Sequence, residues 1–402
     1  MISFEDALRI VLDHANPIGS ETVALQDSLN RVLAQDVFSD IDMPPFNKSA
    51  VDGYACRMKD ILPLNENGPS RITGRELRII ETIPAGIIPE KAIGKGQCSG
   101  IMTGAMVPAG ADCVIMIEDT QQDHPDVVRF TGAHTAANIC YRTEDIRSGD
   151  LVLHRGTVIH PVQIAVLASV GAVNPLVSKM PRIAIIPTGN ELVEPNEKPG
   201  PSCIRNSNAA QIEAQIREIP AIPVYMGIAP DDRESLRKKI DEALSTCEIL
   251  LISGGVSMGK FDYVPDILSE AGIDLLFRSI AIQPGKPTVF GRKGNHYIFG
   301  LPGNPVSSFV QFELLVRPFL MKMSGAAILP GTINLPLGTD FKKKKSGRKS
   351  FVPVNIRGGE IFPVEYHGSA HIHAYIDANA IMSVGSGITE IKKGAFADVR
   401  PL

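Results

Sequence analysis

Apolar residues first recur at helical spacing at Phe4, Ala7, Leu8, Val11 and Leu12, behind Ser3, a residue suited to cap a helix N-terminus. A polar stretch and the segment 25–37 follow, then Asp42-Met43-Pro44-Pro45-Phe46, whose paired prolines mark an exit from one packed unit. Residues 47–143 alternate short β-like runs, at 77–83 and 113–117 for example, with Gly and Pro turns. That pattern predicts a small, mainly-β unit. Beyond Asp145 the chain returns to strand, turn and helix: runs at 151–153 and 157–159 flank Gly156, and 161–168 is helical. The return suggests that 47–143 is inserted into a discontinuous N-terminal domain made of 1–46 and 144–181.

From 182 the pattern changes. Continuous apolar runs at 183–186 and 249–252 are strands of the buried type, and others are expected near 222–226 and 297–301. Between them lie helices near 209–217 and over a face carrying Leu236, Ile240 and Leu244. A long helix is expected from 306 to about 323, with a kink at Pro318. Strands alternating with helices predict a doubly wound α/β domain over 182–325, with ligands at the C-terminal ends of its strands. Residues 326–402 show no helical pattern and many Gly and Pro, and predict a small C-terminal β-barrel.

Composition narrows this α/β multidomain picture. A chain of 402 residues exceeds one hydrophobic core, and 44% hydrophobic against 21% charged residues excludes disorder. A net charge of −4 argues against nonspecific nucleic-acid binding by the whole molecule. Residues 326–402 nevertheless hold ten Lys/Arg against six Asp/Glu, a net of +4, hinting that this part faces an anion; the run Lys342 to Lys345 by itself suits a solvated turn. The six cysteines are scattered without a CxxC pair, so neither a zinc site nor a disulfide framework is expected. The acidic start and the lack of an apolar run of ~18 residues lead to the expectation of a cytoplasmic protein with no membrane segment.

The chemistry-bearing segments sit at strand ends. Ser253-Gly254-Gly255-Val256-Ser257-Met258-Gly259-Lys260-Phe261-Asp262 follows a buried strand, and its glycines let backbone N–H groups approach phosphate oxygens. Residues 254–260 meet most of the GxxxxGK pattern, but Phe261 stands where a nucleotide-hydrolysing loop needs Ser or Thr for Mg2+. A tight turn accounts for the glycines equally well. Gly300-Leu301-Pro302-Gly303-Asn304-Pro305 repeats the arrangement, with Pro305 suited to a first helical turn. Gln283-Pro284-Gly285-Lys286-Pro287 places Lys286 in a rigid turn where it can point at an anion. Asp52, Glu118, Asp145, Glu191, Asp231 and Asp262 occupy loops, from which carboxylates can assemble a Mg2+ site. Asp231 with Glu234 also fits an N-cap and its N3 partner. His371 and His373 would share one face of a strand, which is metal-ligand spacing, but no Cys lies nearby to complete a zinc site, and metal binding is not expected there.

Taken in order, these segments resemble the MoeA–gephyrin E-domain family of molybdopterin molybdenumtransferases nearly end to end. The resemblance is carried by Pro44-Pro45-Phe46-Asn47-Lys48-Ser49-Ala50-Val51-Asp52-Gly53-Tyr54-Ala55, Ile83-Pro84-Ala85-Gly86, Met102-Thr103-Gly104-Ala105, Val107-Pro108, Glu118-Asp119 and Glu144-Asp145. Thr188-Gly189-Asn190-Glu191-Leu192, the segment 253–259 with Asp262, Pro284-Gly285-Lys286-Pro287 and the segment 300–305 complete it. It implies an elongated homodimer that inserts molybdate into adenylylated molybdopterin, releasing AMP, with Mg2+ as the cation. The molybdopterin adenylyltransferase and downstream cofactor-inserting proteins are implied as further partners. By position it implies catalytic roles for Asp52, Glu118, Asp145, Glu191 and Asp262, the metal falling to Glu191 and Asp262. Substrate contacts are implied for Thr103, Asp231, Ser253, Gly254, Gly255, Ser257, Gly259, Lys286, Pro302, Gly303, Asn304, Pro305, Arg348 and Ser369.

The chain departs from the family pattern at Cys140, Ser279 and Gln283, where relatives can present cations, and at Asn206, where an acid is often seen. Arg142 and Arg278 stand nearby. The rival functions are a P-loop-like nucleotide hydrolase resting on 254–260 and a noncatalytic scaffold.

Overall fold

A computed structural model describes residues 1–61, 75–256, 263–344 and 347–402. The chain divides into two compact units. One comprises Met1–Gln35, His154–Ala165 and Val173–Leu402; the other comprises Asp36–Leu153 and Val166–Ala172.

The larger unit is built on a six-stranded sheet. Its strands are β1 (Arg182–Pro187), β2 (Ile222–Tyr225), β3 (Ile249–Ser253), β4 (Asp274–Phe277), β5 (Val289–Lys293) and β6 (His296–Leu301), in the spatial order β2-β1-β3-β6-β5-β4. The first four in that order run parallel, while β5 and β4 add an antiparallel edge. Side-chain alternation along β1 explains its continuous apolar run. Ile183 and Ile185 enter the core that also holds Ile212 and Ile216. Ala184 and Ile186 enter the opposite core, beside Leu236 and Ile240. A strand covered on both faces needs apolar residues at every position.

The covering helices are α1 (Ser207–Arg217), α2 (Arg233–Thr246), α3 (Val264–Glu270), α4 (Pro305–Gln311) and α5 (Arg317–Met323). The N-terminal helix Phe4–Asp13 buries Ala7 and Val11 in the same core as α1, and Ser3 caps it by accepting the Asp6 N–H. Asp232 caps α2 by accepting from Ser235 N–H, so the expected cap at Asp231 moves by one residue and leaves Asp231 outside the helix. The helix expected over 306–323 is three pieces: α4, a π-helical turn at Phe312–Val316, and α5. Pro318 cannot donate to the preceding turn and its ring crowds the carbonyl four residues back; widening that turn relieves the clash without a sharp break.

In the C-terminal part of this unit, Glu360–Pro363, Lys349–Arg357, Ala380–Val384, Phe396–Pro401 and Ile333–Pro336 pair in that order. A bridge from Leu337 to Ile361 returns to the first strand and closes the barrel. Val354, Met382 and Val399 fill it. His371 and His373 lie at a 3-10 turn, Ile372–Tyr375, instead of on a strand, so the spacing expected for shared strand faces does not occur.

The smaller unit carries a six-stranded sheet in the order Cys113–Met116, Gly53–Cys56, Gln97–Ile101, Arg75–Ile83, Val127–Phe130 and Thr120–His124. Alternate residues of Gly53–Cys56 again serve two cores, Tyr54 and Cys56 in one and Ala55 in the other. Gly53 is fixed by a close approach: a Cβ there would lie 1.8 Å from the Ile115 carbonyl oxygen. Among the described residues, the mainly-β pattern gives way to a short helix at Met58–Ile61, whose first N–H donates to Asp112 Oδ1 at 2.5 Å, and to a 3-10 turn at Ile117–Asp119.

Candidate functional site

A cavity of about 640 Å³ lies at the C-terminal ends of β1, β3 and β6. Parallel strands deliver their following loops to one edge of the sheet, so residues far apart in sequence meet there. The lining includes Thr188, Gly189 and Glu191 after β1, Ser253 at the end of β3 with Gly254 and Gly255 after it, and Pro302, Gly303, Asn304 and Pro305 after β6. Asp231, just ahead of α2, joins them.

Backbone bonds fasten these loops. Thr188 N–H donates to Ser253 O at 2.8 Å, and Gly254 N–H donates to Leu301 O at 3.0 Å. Gly254 has φ +99°, and a Cβ there would meet the Thr188 carbonyl oxygen at 2.6 Å, so both conformation and space demand glycine. Asn208, in the first turn of α1, donates from Nδ2 to Ser253 Oγ and to Gly303 O, each at 2.8 Å. This one amide clamps the β3 and β6 loops together. Asp231 and Asn190 exchange bonds: Asn190 N–H donates to Asp231 Oδ2 at 3.2 Å, and Asp231 N–H donates to Asn190 Oδ1 at 3.1 Å. Asn304 Nδ2 donates to Ser369 Oγ at 2.9 Å, bringing Ser369 beside the β6 loop.

Beside this edge, Tyr225 O–H donates to Glu194 at 2.6 Å and accepts from Asn206 Nδ2 at 3.0 Å. Burial, and the hydrogen bond to a carboxylate that would face a like charge, push this phenol well above its ordinary range.

The structure therefore gathers Glu191, Asp231, Ser253, Gly254, Gly255, Pro302, Gly303, Asn304 and Pro305 around one cavity. Lys286 is exposed on its turn and is not part of that lining, whereas its neighbour Pro287 is. Gln311 supports this turn by donating to Pro284 O at 3.3 Å. Arg348 donates from Nη1 to Ile282 O at 3.0 Å, away from the lining. Ser257, Gly259 and Asp262 lie outside the described residues.

In the smaller unit, Thr103 donates to Asp52 Oδ1 through its N–H at 2.7 Å and its hydroxyl at 3.0 Å. Ile117 N–H donates to Asp52 O at 3.0 Å, which places exposed Glu118 at the same end of the sheet. Asp145 is exposed and tied by its backbone N–H to Met43 O at 3.0 Å.

Sequence reasoning missed the lining residues Arg205 and Ser207 and the clamp at Asn208. The signal was Asn206-Ser207-Asn208 ahead of an amphipathic run, an N-cap pattern that fixes where a helix N-terminus will point.

Three family models cover the chain in order: "MoeA N-terminal region (domain I and II)" at residues 2–171, "Probable molybdopterin binding domain" at 184–322, and "MoeA C-terminal region (domain IV)" at 334–402. The chain is 34% identical over 406 residues to a protein named molybdopterin molybdenumtransferase from Staphylococcus epidermidis RP62A, covering 99% of this chain and 95% of that one. A protein of the same name from Staphylococcus aureus Mu50 is 33% identical over 402 residues, with the same coverage. The crystal structure of a molybdopterin biosynthesis MoeA protein from Pyrococcus horikoshii OT3 matches over 100% of both chains, with a TM-score of 0.83 and 29% identity. With all three regions matched and relatives aligned along nearly their full length, the chain belongs to the MoeA family of molybdopterin molybdenumtransferases.

Proposed function

We propose that this protein completes the molybdenum cofactor by inserting molybdate into adenylylated molybdopterin, with release of AMP. The observation carrying this reading is the cavity at the parallel strand ends, where two glycine turns and two carboxylates converge. It falls within 184–322, the region matched as a probable molybdopterin binding domain. In the reaction, water adds across the phosphoanhydride, one P–O bond breaks, and AMP leaves while the pterin keeps its phosphate. Two Mo–S bonds form to the dithiolene sulfurs as one molybdate oxygen leaves as water with the two thiol protons, the molybdenum keeping its oxidation state.

The donors in the cavity suit Mg2+: Glu191 and Asp231 supply only oxygen, and substrate phosphate and water can complete the shell. Glu191 and Asp231 would hold the cation, which supplies charge neutralisation at the phosphates. Asp262 is proposed as a further ligand, and Asp52, Glu118 and Asp145 are proposed as further catalytic acids. Ser253, Gly254 and Gly255 present backbone and hydroxyl groups to phosphate oxygens, and Asn208 keeps their loop against Gly303. Homodimerisation and a cytoplasmic location complete the proposal.

Reconstitution from purified adenylylated pterin, molybdate and Mg2+ tests it. AMP and molybdenum-loaded cofactor should form in equal amounts. ATP hydrolysis without turnover of the adenylylated pterin would replace this reading with nucleotide hydrolysis.

A further inference from the structure

The cavity holds a charge arrangement that its glycine loops alone do not explain. Among the described residues lining it, Glu191 and Asp231 carry negative charge, and Arg205 is the one Lys or Arg side chain. A cation held by the acids would offset their charge, and a fixed positive group of the protein would add a direct contact for an anionic ligand. Arg205 is exposed and directly precedes the cap of α1, and its Nε donates to Glu197 O at 3.0 Å. That bond steers the guanidinium while leaving its terminal nitrogens available for a forked contact. Asn206 accepts the Ala209 N–H, and the first N–H groups of α1 have no partners within the helix.

A second feature points to the same ligand. Thr188 is 5% exposed, lines the cavity, and its hydroxyl has no hydrogen-bond partner among the described residues. A buried hydroxyl left without a partner is costly, and an entering acceptor oxygen relieves that cost.

We propose that Arg205, the first turn of α1 and the Thr188 hydroxyl form a phosphate subsite in this cavity, which takes the diphosphate of the pterin–nucleotide substrate. This rests on the proposed function and moves the fixed cation from Lys286, which lies off the lining, to Arg205. The chemistry is that of a guanidinium fork with a helix N-terminus, a combination matched to phosphate oxygens.

The test is calorimetric titration of the full-length chain with inorganic pyrophosphate and, separately, with molybdate. Arg205→Ala should weaken pyrophosphate binding about 10- to 100-fold, the equivalent of one strong charged contact. Molybdate affinity should stay within about twofold. Arg205→Lys should recover part of the loss, and Thr188→Val should give a smaller one. In turnover, Arg205→Ala should raise KM for the adenylylated pterin by the same factor, with kcat little changed.

Absence of pyrophosphate binding by the wild-type chain, an unchanged affinity in Arg205→Ala, or an equal loss for molybdate overturns the subsite. If Arg205→Ala behaves as expected toward pyrophosphate but the wild-type chain never turns over adenylylated pterin, the subsite stands and the proposed reaction falls.

Discussion

The strand-end cavity and the Asp52–Thr103 turn hold their acids in different ways. Asp231 is fixed by an exchange of backbone and side-chain bonds with Asn190, a residue on another loop of the parallel sheet. Asp52 is fixed by two bonds from Thr103, both to the same oxygen. The two necessary glycines differ as well. Gly254 combines positive φ with crowding against Thr188, whereas Gly53 is required by an approaching carbonyl within a regular strand. The cavity is thus assembled by converging loops, and the β-unit turn by the packing of neighbouring strands. Damage to the first should appear in turnover and substrate affinity; damage to the second should appear first in stability.

The largest expected effect is at Asp231. Asp231→Asn keeps an acceptor for Asn190 but removes the charge, and should cut AMP release by ~10²-fold or more with an unchanged melting temperature. Near-normal turnover would remove Asp231 from the chemistry and break the contrast. Next comes Gly53→Ala, where a carbonyl at 1.8 Å must be displaced. A loss of about 3 kcal/mol is expected, the upper end for overpacking, read from the midpoint of urea unfolding. Should that midpoint hold steady, the close approach is not structural.

Asn208→Ala removes the amide that joins the β3 and β6 loops. It should cost roughly 1–3 kcal/mol by leaving the buried Ser253 hydroxyl without this donor and should raise KM more than it lowers kcat. A pure stability loss at constant KM would show that the clamp serves packing alone. Thr103→Val keeps the backbone bond to Asp52 and removes the hydroxyl one, so only about 0.5–1.5 kcal/mol is expected.

The last prediction concerns pH. Burial pushes the Cys98 thiol in the β unit up to about 12. Because the folded value lies above the unfolded one of ~8.5, its stabilising contribution is complete below that pH and is lost as pH rises toward 12. Unfolding midpoints measured from pH 8 to 11 should fall, and Cys98→Val should flatten that slope. An identical slope in the variant assigns the alkaline loss to other groups, such as the buried Tyr375 phenol.

The sequence by itself determined the doubly wound region, because strands buried on both faces are apolar without interruption and the turns after them carry Gly and Pro. It also determined the family, since the ordered motifs match along the whole chain. Local chemistry named Gly254, whose positive φ favours glycine, and Pro305, whose missing N–H suits a first helical turn. Tertiary structure decided what depends on direction and on distant neighbours. The cap of α2 went to Asp232 because its side chain faces the Ser235 N–H, which released Asp231 to the cavity. The helix expected to kink at Pro318 instead widened into a π turn. Lys286 lies outside the lining, and Arg205 inside it, because a loop residue's orientation follows from how the flanking strands and helices pack. A one-dimensional pattern records which faces are buried, but the convergence of loops at a parallel sheet's edge arises only when β1, β3 and β6 lie side by side.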